Sequence, residues 1–263
     1  MLHAAPRGPV QAVLFDFDGT ISTLRCGWEK VMKPLMVESI SGGTRPDAEL
    51  ERMVDEYIHE STGIQTILQM RWLSETAARY GRNPSAPKDP WAYKAEYNRR
   101  LMETVETRLD ALQSGRVPKE QFLIAGSERC LKALVARGVR LYVASGTDHP
   151  DVVREAAALG VDRYFTEIAG APVASESCSK EKVLAQLIEK EALGGDALAV
   201  VGDGKVEIRL GREAGARTIG LASDEEALRG VNPVKRERLV KAGADAICGD
   251  FTDLASILDF LGL

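Results

Sequence analysis

Residues 12–22 read AVLFDFDGTIS, and they set two carboxylates, Asp16 and Asp18, one residue apart at the end of an apolar run. Residues two apart on a strand face the same side. As such a strand unravels, both acids converge on one point beyond its carboxyl edge, where open α/β sheets take their ligands. Gly19 permits a sharp turn there, and Thr20 offers a hydroxyl to a neighbour. Three later stretches carry chemistry that matches. LYVASGT ends in Ser145, Gly146 and Thr147, a hydroxyl and a string of backbone N–H groups that make a neutral cradle for phosphate oxygens. SCSKEKVLAQLI sets Lys180 at the start of an amphipathic helix, where it can offer its charge to an anion. AVVGDGKVEI ends a strand in Gly202, Asp203 and Gly204, with Glu207 four residues after the aspartate. Clustered carboxylates at a strand end suit an oxygen-loving cation such as Mg²⁺.

The elements that must position these residues share one grammar. ARGVRLYVAS (136–145), ALGVDRYFTE (158–167), EAGARTIGLA (213–222) and KAGADAICGD (241–250) each set a glycine between helix-like residues and a short apolar run. Glycine is preferred just past a helix end, where the chain turns left-handed, and the apolar runs read as buried strands. ALAVVGD adds a further strand. Alternating helices and strands predict a Rossmann-like, doubly wound parallel sheet of the α/β class. Residues 25–112 follow another pattern. Apolar residues at helical spacing form four sets: 28–40, 50–58, 64–72 (Ile64, Ile67, Leu68, Trp72) and 93–112, separated by turn signals at 41–46 and 81–90. This predicts a four-helix insertion after the first strand, with a core of its own.

Bulk composition narrows the function classes. The chain has 263 residues, 44% of them apolar and 28% charged, as expected of a globular protein with a sizeable core. A net charge of −5 argues against a nucleic-acid or anionic-membrane partner. No apolar run is long enough to cross a bilayer, and MLHAAPRGPV lacks the apolar stretch of a signal peptide, so a cytoplasmic protein is expected. Cys26, Cys130, Cys178 and Cys248 are far apart and form no CxxC pair, which argues against structural zinc. With three histidines in the chain, chemistry resting on a histidine base has few candidates.

In their order and spacing, DFDGT, ASGT, SKEK and GDGKVE resemble the four signature motifs of the haloacid dehalogenase-like superfamily. The resemblance covers residues 10–22 and 117–263. It implies a core domain formed by 1–22 and 117–263, and a helical cap over 23–116 similar to that of phosphoglycolate phosphatases and β-phosphoglucomutases. It implies that Asp16 is the nucleophile, forming an aspartyl phosphate, and that Asp18 protonates the leaving oxygen and then activates water. Ser145, Gly146 and Lys180 would bind the phosphoryl group. Mg²⁺ would be held by the carboxylate of Asp16, the backbone carbonyl of Asp18, and Asp203. The family usually has a second aspartate where Glu207 stands, so Glu207 would bind the metal through water or orient Lys180. Lys180 precedes the apolar helix face by a turn and is favoured as the phosphate lysine, with Lys182 as the alternative. Asp18 argues against a dehalogenase, whose leaving group needs no proton. In the capped subgroup the insertion reads the leaving group, and HESTGIQT (59–66) offers Thr62, Gly63 and Gln65 as contacts. The expected activity is Mg²⁺-dependent hydrolysis of a small phosphorylated metabolite, a sugar phosphate or phosphoglycolate, by a monomer or homodimer. A phosphomutase, or an idle binding or regulatory protein, are the alternatives.

Overall fold

The computed structural model describes residues 8–173, 179–191 and 195–263; Cys178 lies outside them. The strands are β1 (Ala12–Phe15), β2 (Arg140–Asp148), β3 (Glu167–Ala171), β4 (Leu198–Gly202), β5 (Arg217–Leu221) and β6 (Ala246–Cys248). All neighbours pair in parallel, in the order β3-β2-β1-β4-β5-β6. The strand order therefore reverses between β1 and β4, the position at which doubly wound sheets open a ligand crevice. Phe15, the last residue of β1, lies opposite Val143 of β2 and Val201 of β4, so the residues that follow each of these positions come to one edge.

The helices are α1 (Glu29–Ser41), α2 (Ala48–Glu60), α3 (Thr66–Tyr80), α4 (Pro90–Gln113), α5 (Ser127–Val135), α6 (His149–Ala158), α7 (Ser179–Glu191), α8 (Lys205–Glu213), α9 (Pro233–Ala242) and α10 (Leu254–Leu261). One face of β1, β2 and β4, with Ala12, Leu14, Tyr142, Ala144, Leu198 and Val200, packs on Val183, Leu184 and Leu187 of α7. Each leucine buried there contributes about 1.5–3 kcal/mol. This packing fixes the rotation of α7 and hence the direction in which its first turn points.

Two compact units result, Met1–Cys26 with Ala111–Leu263, and Gly27–Asp110. Residues 23–26 and 111–116 thus go with the sheet. The backbone shows why: Thr23 N–H donates to Phe122 O (3.0 Å), and Val117 N–H donates to Ala111 O (3.2 Å). Arg25 is tied into the same unit by Glu155 of α6, with Nη2 2.6 Å from Oε1, and by Asp151 at 3.3 Å. Glu155 is fully buried. Replacing Arg25 by Met strands that carboxylate, and breaking one side of a buried pair costs about 3–5 kcal/mol. Urea unfolding of Arg25→Met is expected to show a loss of that order, against little change for an exposed substitution such as Arg52→Met on α2.

In the second unit, α4 buries Tyr93, Tyr97, Leu101, Val105 and Leu109, one stripe at a spacing of four. Asp47 caps α2 by accepting the Leu50 N–H at 2.8 Å.

Three local expectations are corrected. The third strand is Glu167–Ala171, later than the apolar run that suggested it, because residues 162–164 form a 3₁₀ turn. On α3 the buried face is Ile67, Met70, Leu73 and Ala77, rotated from the expected 64/67/68/72 row. Trp72 stacks instead on Tyr57, with ring centroids 3.7 Å apart. Ile188 of α7 is exposed rather than in the apolar face. Asp148 stands at the N-cap of α6 but makes no side-chain capping bond. Among the described residues, no helix is long and apolar enough to cross a membrane.

Candidate active site

Asp16 follows β1 directly and is buried; its N–H donates to Val201 O of β4 at 2.9 Å. That bond continues the β1–β4 ladder one step past the strand and sets the Asp16 side chain beside the end of β4. There Asp203 and Glu207 are also buried. One carboxylate oxygen from each of Asp16, Asp203 and Glu207 falls within 4.8 Å of the others. Lys180, in the first turn of α7 and 4% exposed, lies between two of them: Nζ is 3.1 Å from Asp16 Oδ1 and 3.0 Å from Glu207 Oε2. Lys182 is exposed, facing away from the apolar side of the same helix.

Glu207 is fixed from both ends. Its Oε1 accepts the N–H of Gly204 at 2.6 Å, closing the first turn of α8 while Oε2 takes the lysine. Gly202 and Gly204 leave the space for this. A Cβ on Gly202 would come within 2.3 Å of Glu207 Cγ, and one on Gly204 within 2.9 Å of Oε1.

Asp18 turns to the other side. Its Oδ2 accepts from Thr147 Oγ1 at 2.7 Å and, at the long distance of 3.4 Å, from Ser145 Oγ. Ser145 Oγ in turn accepts the N–H of Thr147 at 3.0 Å. Asp18 Oδ1 is buried without a hydrogen-bond partner among the described residues. Gly146 is half-buried, at the irregularity where β2 continues past the expected strand end. The side chain of Asp18 is therefore not in the three-carboxylate cluster, although its charge is felt at Asp16.

Gly19 joins the two acids' loop to Asp203. It has φ 70°, and a Cβ would lie 2.5 Å from Asp203 Oδ2. A left-handed residue with a side chain is strained by about 1–2 kcal/mol, and the carboxylate would have to move as well. Gly19→Ala is expected to lower the unfolding free energy by at least that strain and to weaken cation binding, as read by denaturant melts and Mg²⁺ titration.

Burial dominates the electrostatics. It pushes the Asp16 carboxyl well above the ordinary range; Glu207, Asp203 and Asp18 push the same way, and Lys180 opposes them. Burial works against the charge on Lys180, but Asp16 and Glu207 outweigh it and hold the ammonium above the usual lysine range. At Asp203 burial is outweighed by Lys235 and Arg238, which leave its carboxyl below the usual value. Three buried carboxylates of which Lys180 touches two form an oxygen-only donor set with charge to spare, and such a set fits a hard divalent cation.

The remaining expected residues lie on the turn between α2 and α3, in the other unit. Thr62 Oγ1 donates to Ile58 O at 3.1 Å, closing the end of α2; Gly63 has φ 87°; Gln65 is buried ahead of α3.

Comparison with known proteins accords with this arrangement. A family model described as haloacid dehalogenase-like hydrolase matches residues 10–215. The chain belongs to the haloacid dehalogenase-like hydrolases. The matched region carries all four motifs, and the chain is accordingly an enzyme of the hydrolase class. Members generally use a divalent metal, and the Asp16–Asp203–Glu207 set fits one. A 5'-nucleotidase from Pseudomonas aeruginosa is 26% identical, over 98% of this chain and 99% of its own. Among solved structures, a predicted phosphoglycolate phosphatase from Haemophilus somnus superposes with TM-score 0.63 at 20% identity, covering 94% of this chain and 97% of its own. A β-phosphoglucomutase from Clostridium difficile superposes with TM-score 0.66 at 14% identity, covering 96% and 97%. At these identities the two structures speak for the fold.

Three residues escape the motif reading. Thr147 is in ASGT, yet the short bond to Asp18 is its own rather than that of Ser145. Glu155 leaves a signal, an acid on the buried stripe Val152/Glu155/Ala156 of α6. Lys235 leaves none, because NPVKRERL reads as a solvated charged helix.

Proposed function

We propose that this hydrolase is a Mg²⁺-dependent phosphatase that releases phosphate from a small phosphorylated metabolite through an aspartyl phosphate on Asp16. The observation that carries the reading is the division of labour between the two acids. Asp16 is buried against Lys180, whereas Asp18 is held by Thr147 at Oδ2 and keeps Oδ1 without a hydrogen-bond partner among the described residues.

Asp16 attacks phosphorus in line, and its oxygen forms the new bond as the ester oxygen departs. Asp18 gives the leaving oxygen its proton through Oδ1, with Thr147 fixing the rotation of the carboxyl group. It then takes a proton from the water that attacks the same phosphorus, and the acyl phosphate breaks to regenerate Asp16. Lys180, Ser145 and the N–H groups around Gly146 bind the phosphoryl oxygens. The Asp16 carboxylate, the Asp18 carbonyl and Asp203 would hold the cation, with Glu207 directing Lys180. When bound, the cation neutralises the repulsion between the carboxylate and the phosphate dianion. The helical unit would serve as a cap and read the leaving group, with Thr62, Gly63 and Gln65 as first candidates.

For the leaving group, sugar phosphates and phosphoglycolate remain the leading choices, and the whole-length likeness to a 5'-nucleotidase adds nucleoside 5'-monophosphates to the test. The assay is phosphate release from all three classes, with Mg²⁺ and with EDTA, beside a search for isomerised sugar phosphate. Mg²⁺-dependent phosphate from one class supports the phosphatase. Isomerised product without free phosphate moves the assignment to a mutase. Turnover undiminished in EDTA removes the metal from the mechanism.

A further inference from the structure

Asn232 caps α9 by accepting the N–H groups of Val234 (3.0 Å) and Lys235 (3.1 Å), which fixes the first turn of that helix. Lys235 and Arg238, three residues apart, then share a face. Both reach Asp203. Lys235 Nζ lies 2.7 Å from Asp203 Oδ2, and Arg238 Nη2 donates to the Asp203 backbone carbonyl at 3.0 Å. The same ammonium lies 2.6 Å from Glu225 Oε1 and 3.1 Å from Ser223 Oγ, so all three of its donors are engaged. Ser223 Oγ donates onward to the Gly19 carbonyl. One lysine, outside all four motifs, thus links the Asp203 carboxylate to the turn that follows Asp18.

We propose that Lys235 is a positioning residue for the cation site: it holds Asp203 by Oδ2 and, through Ser223, keeps the Asp203 and Gly19 loops in register. The inference rests on the metal-dependent reading above. Charge alone would give the opposite expectation, since an ammonium repels a cation through space. Glu225, on the same nitrogen, offsets that charge, and the orienting hydrogen bond is what remains. Hydrogen-bond partners of metal-ligating carboxylates typically govern affinity by about 10- to 100-fold.

The test is calorimetric titration with Mg²⁺ in the absence of substrate, on the full chain. Lys235→Met is expected to weaken binding by about 10- to 100-fold, and Lys235→Arg to restore most of the loss. The double variant Lys235→Met/Glu225→Gln removes one of the two carboxylates that lose their ammonium with the lysine, and Arg238 stays beside the other, Asp203. It provides a folded protein if the single variant fails, and it is expected to bind as weakly as the single variant. Melting in EDTA is expected to show the double variant folded and more stable than the single variant, which separates positioning from general loss of structure. Mg²⁺ binding by the double variant equal to or tighter than that of the parent overturns the proposal while leaving the phosphatase reading intact. A parent protein that binds no Mg²⁺ overturns both.

Discussion

Asp16→Asn abolishes phosphate release and leaves the fold standing: that is the expected result with the largest effect on activity. The amide has the shape of the carboxyl group but not its nucleophilic oxygen, so no acyl phosphate forms. Removing one member of a covalent-catalysis set lowers turnover by at least about 10⁴-fold. Stability moves the other way or hardly at all. Burial already disfavours the charge on Asp16, and Glu207, Asp203 and Asp18 add to that pressure. A neutral amide relieves it, while the backbone bond to Val201 is untouched. The check pairs phosphate release at saturating Mg²⁺ with urea unfolding in EDTA. Activity equal to that of the parent shows that another group makes the attack. An unfolded variant shows that the Asp16 charge is structural, contrary to the electrostatics described above.

Lys180→Met has the largest combined effect on stability and activity. Methionine keeps the length of the lysine stem and its packing on α7, so the change removes the ammonium and little else. Asp16 Oδ1 and Glu207 Oε2, each about 3 Å from Nζ, then face each other without it. Leaving buried charge without its partner costs about 3–5 kcal/mol; proton uptake by Asp16 limits the loss. In EDTA the variant is therefore expected to unfold at distinctly lower urea than the parent. Mg²⁺ is expected to stabilise it, because a ligand that binds only the native state adds about 2.7 kcal/mol at a hundred times its dissociation constant. Turnover is expected to fall by about 10²- to 10³-fold, the scale set by removing one charge-stabilising donor. Lys182→Met serves as the comparison. Exposed on the same helix, it is expected to stay within about 0.5 kcal/mol of the parent. Equal losses in the two variants would end the assignment of Lys180.

Much of the core could be read before any coordinates. The glycine-then-strand grammar works because a helix end needs a left-handed residue, as Gly243 shows at the end of α9 with φ 85°. The acids at the ends of β1 and β4 were legible because a parallel sheet sends its carboxyl ends to one edge. The third strand was misplaced because a 3₁₀ turn and a strand start draw on the same apolar and aromatic residues at 161–168. The wrong face was assigned to α3 because Trp72 looks like core by composition, yet it stacks on Tyr57. On α7 Ile188 fits the apolar row by spacing, but the sheet face ends before it.

By itself the sequence determined the α/β class and, through its four motifs, the family, and it offered Asp16, Asp18, Ser145, Asp203 and either Lys180 or Lys182 as candidates for the chemistry. The class follows from local periods and turn chemistry, which act over a few neighbouring positions; the family and the candidate roles follow from the resemblance of the four motifs in their order along the chain. The tertiary structure alone decided that Lys180 rather than Lys182 is the buried lysine, that Glu207 is paired with it, that Thr147 grips Asp18, and that Lys235 stands on Asp203. Each of these is a question of which charge or hydroxyl is left facing which across 27, 129 or more residues of chain. The answer is set by helix rotation and sheet packing, because burial makes an unpartnered charge expensive and only the packed chain fixes which groups are buried together.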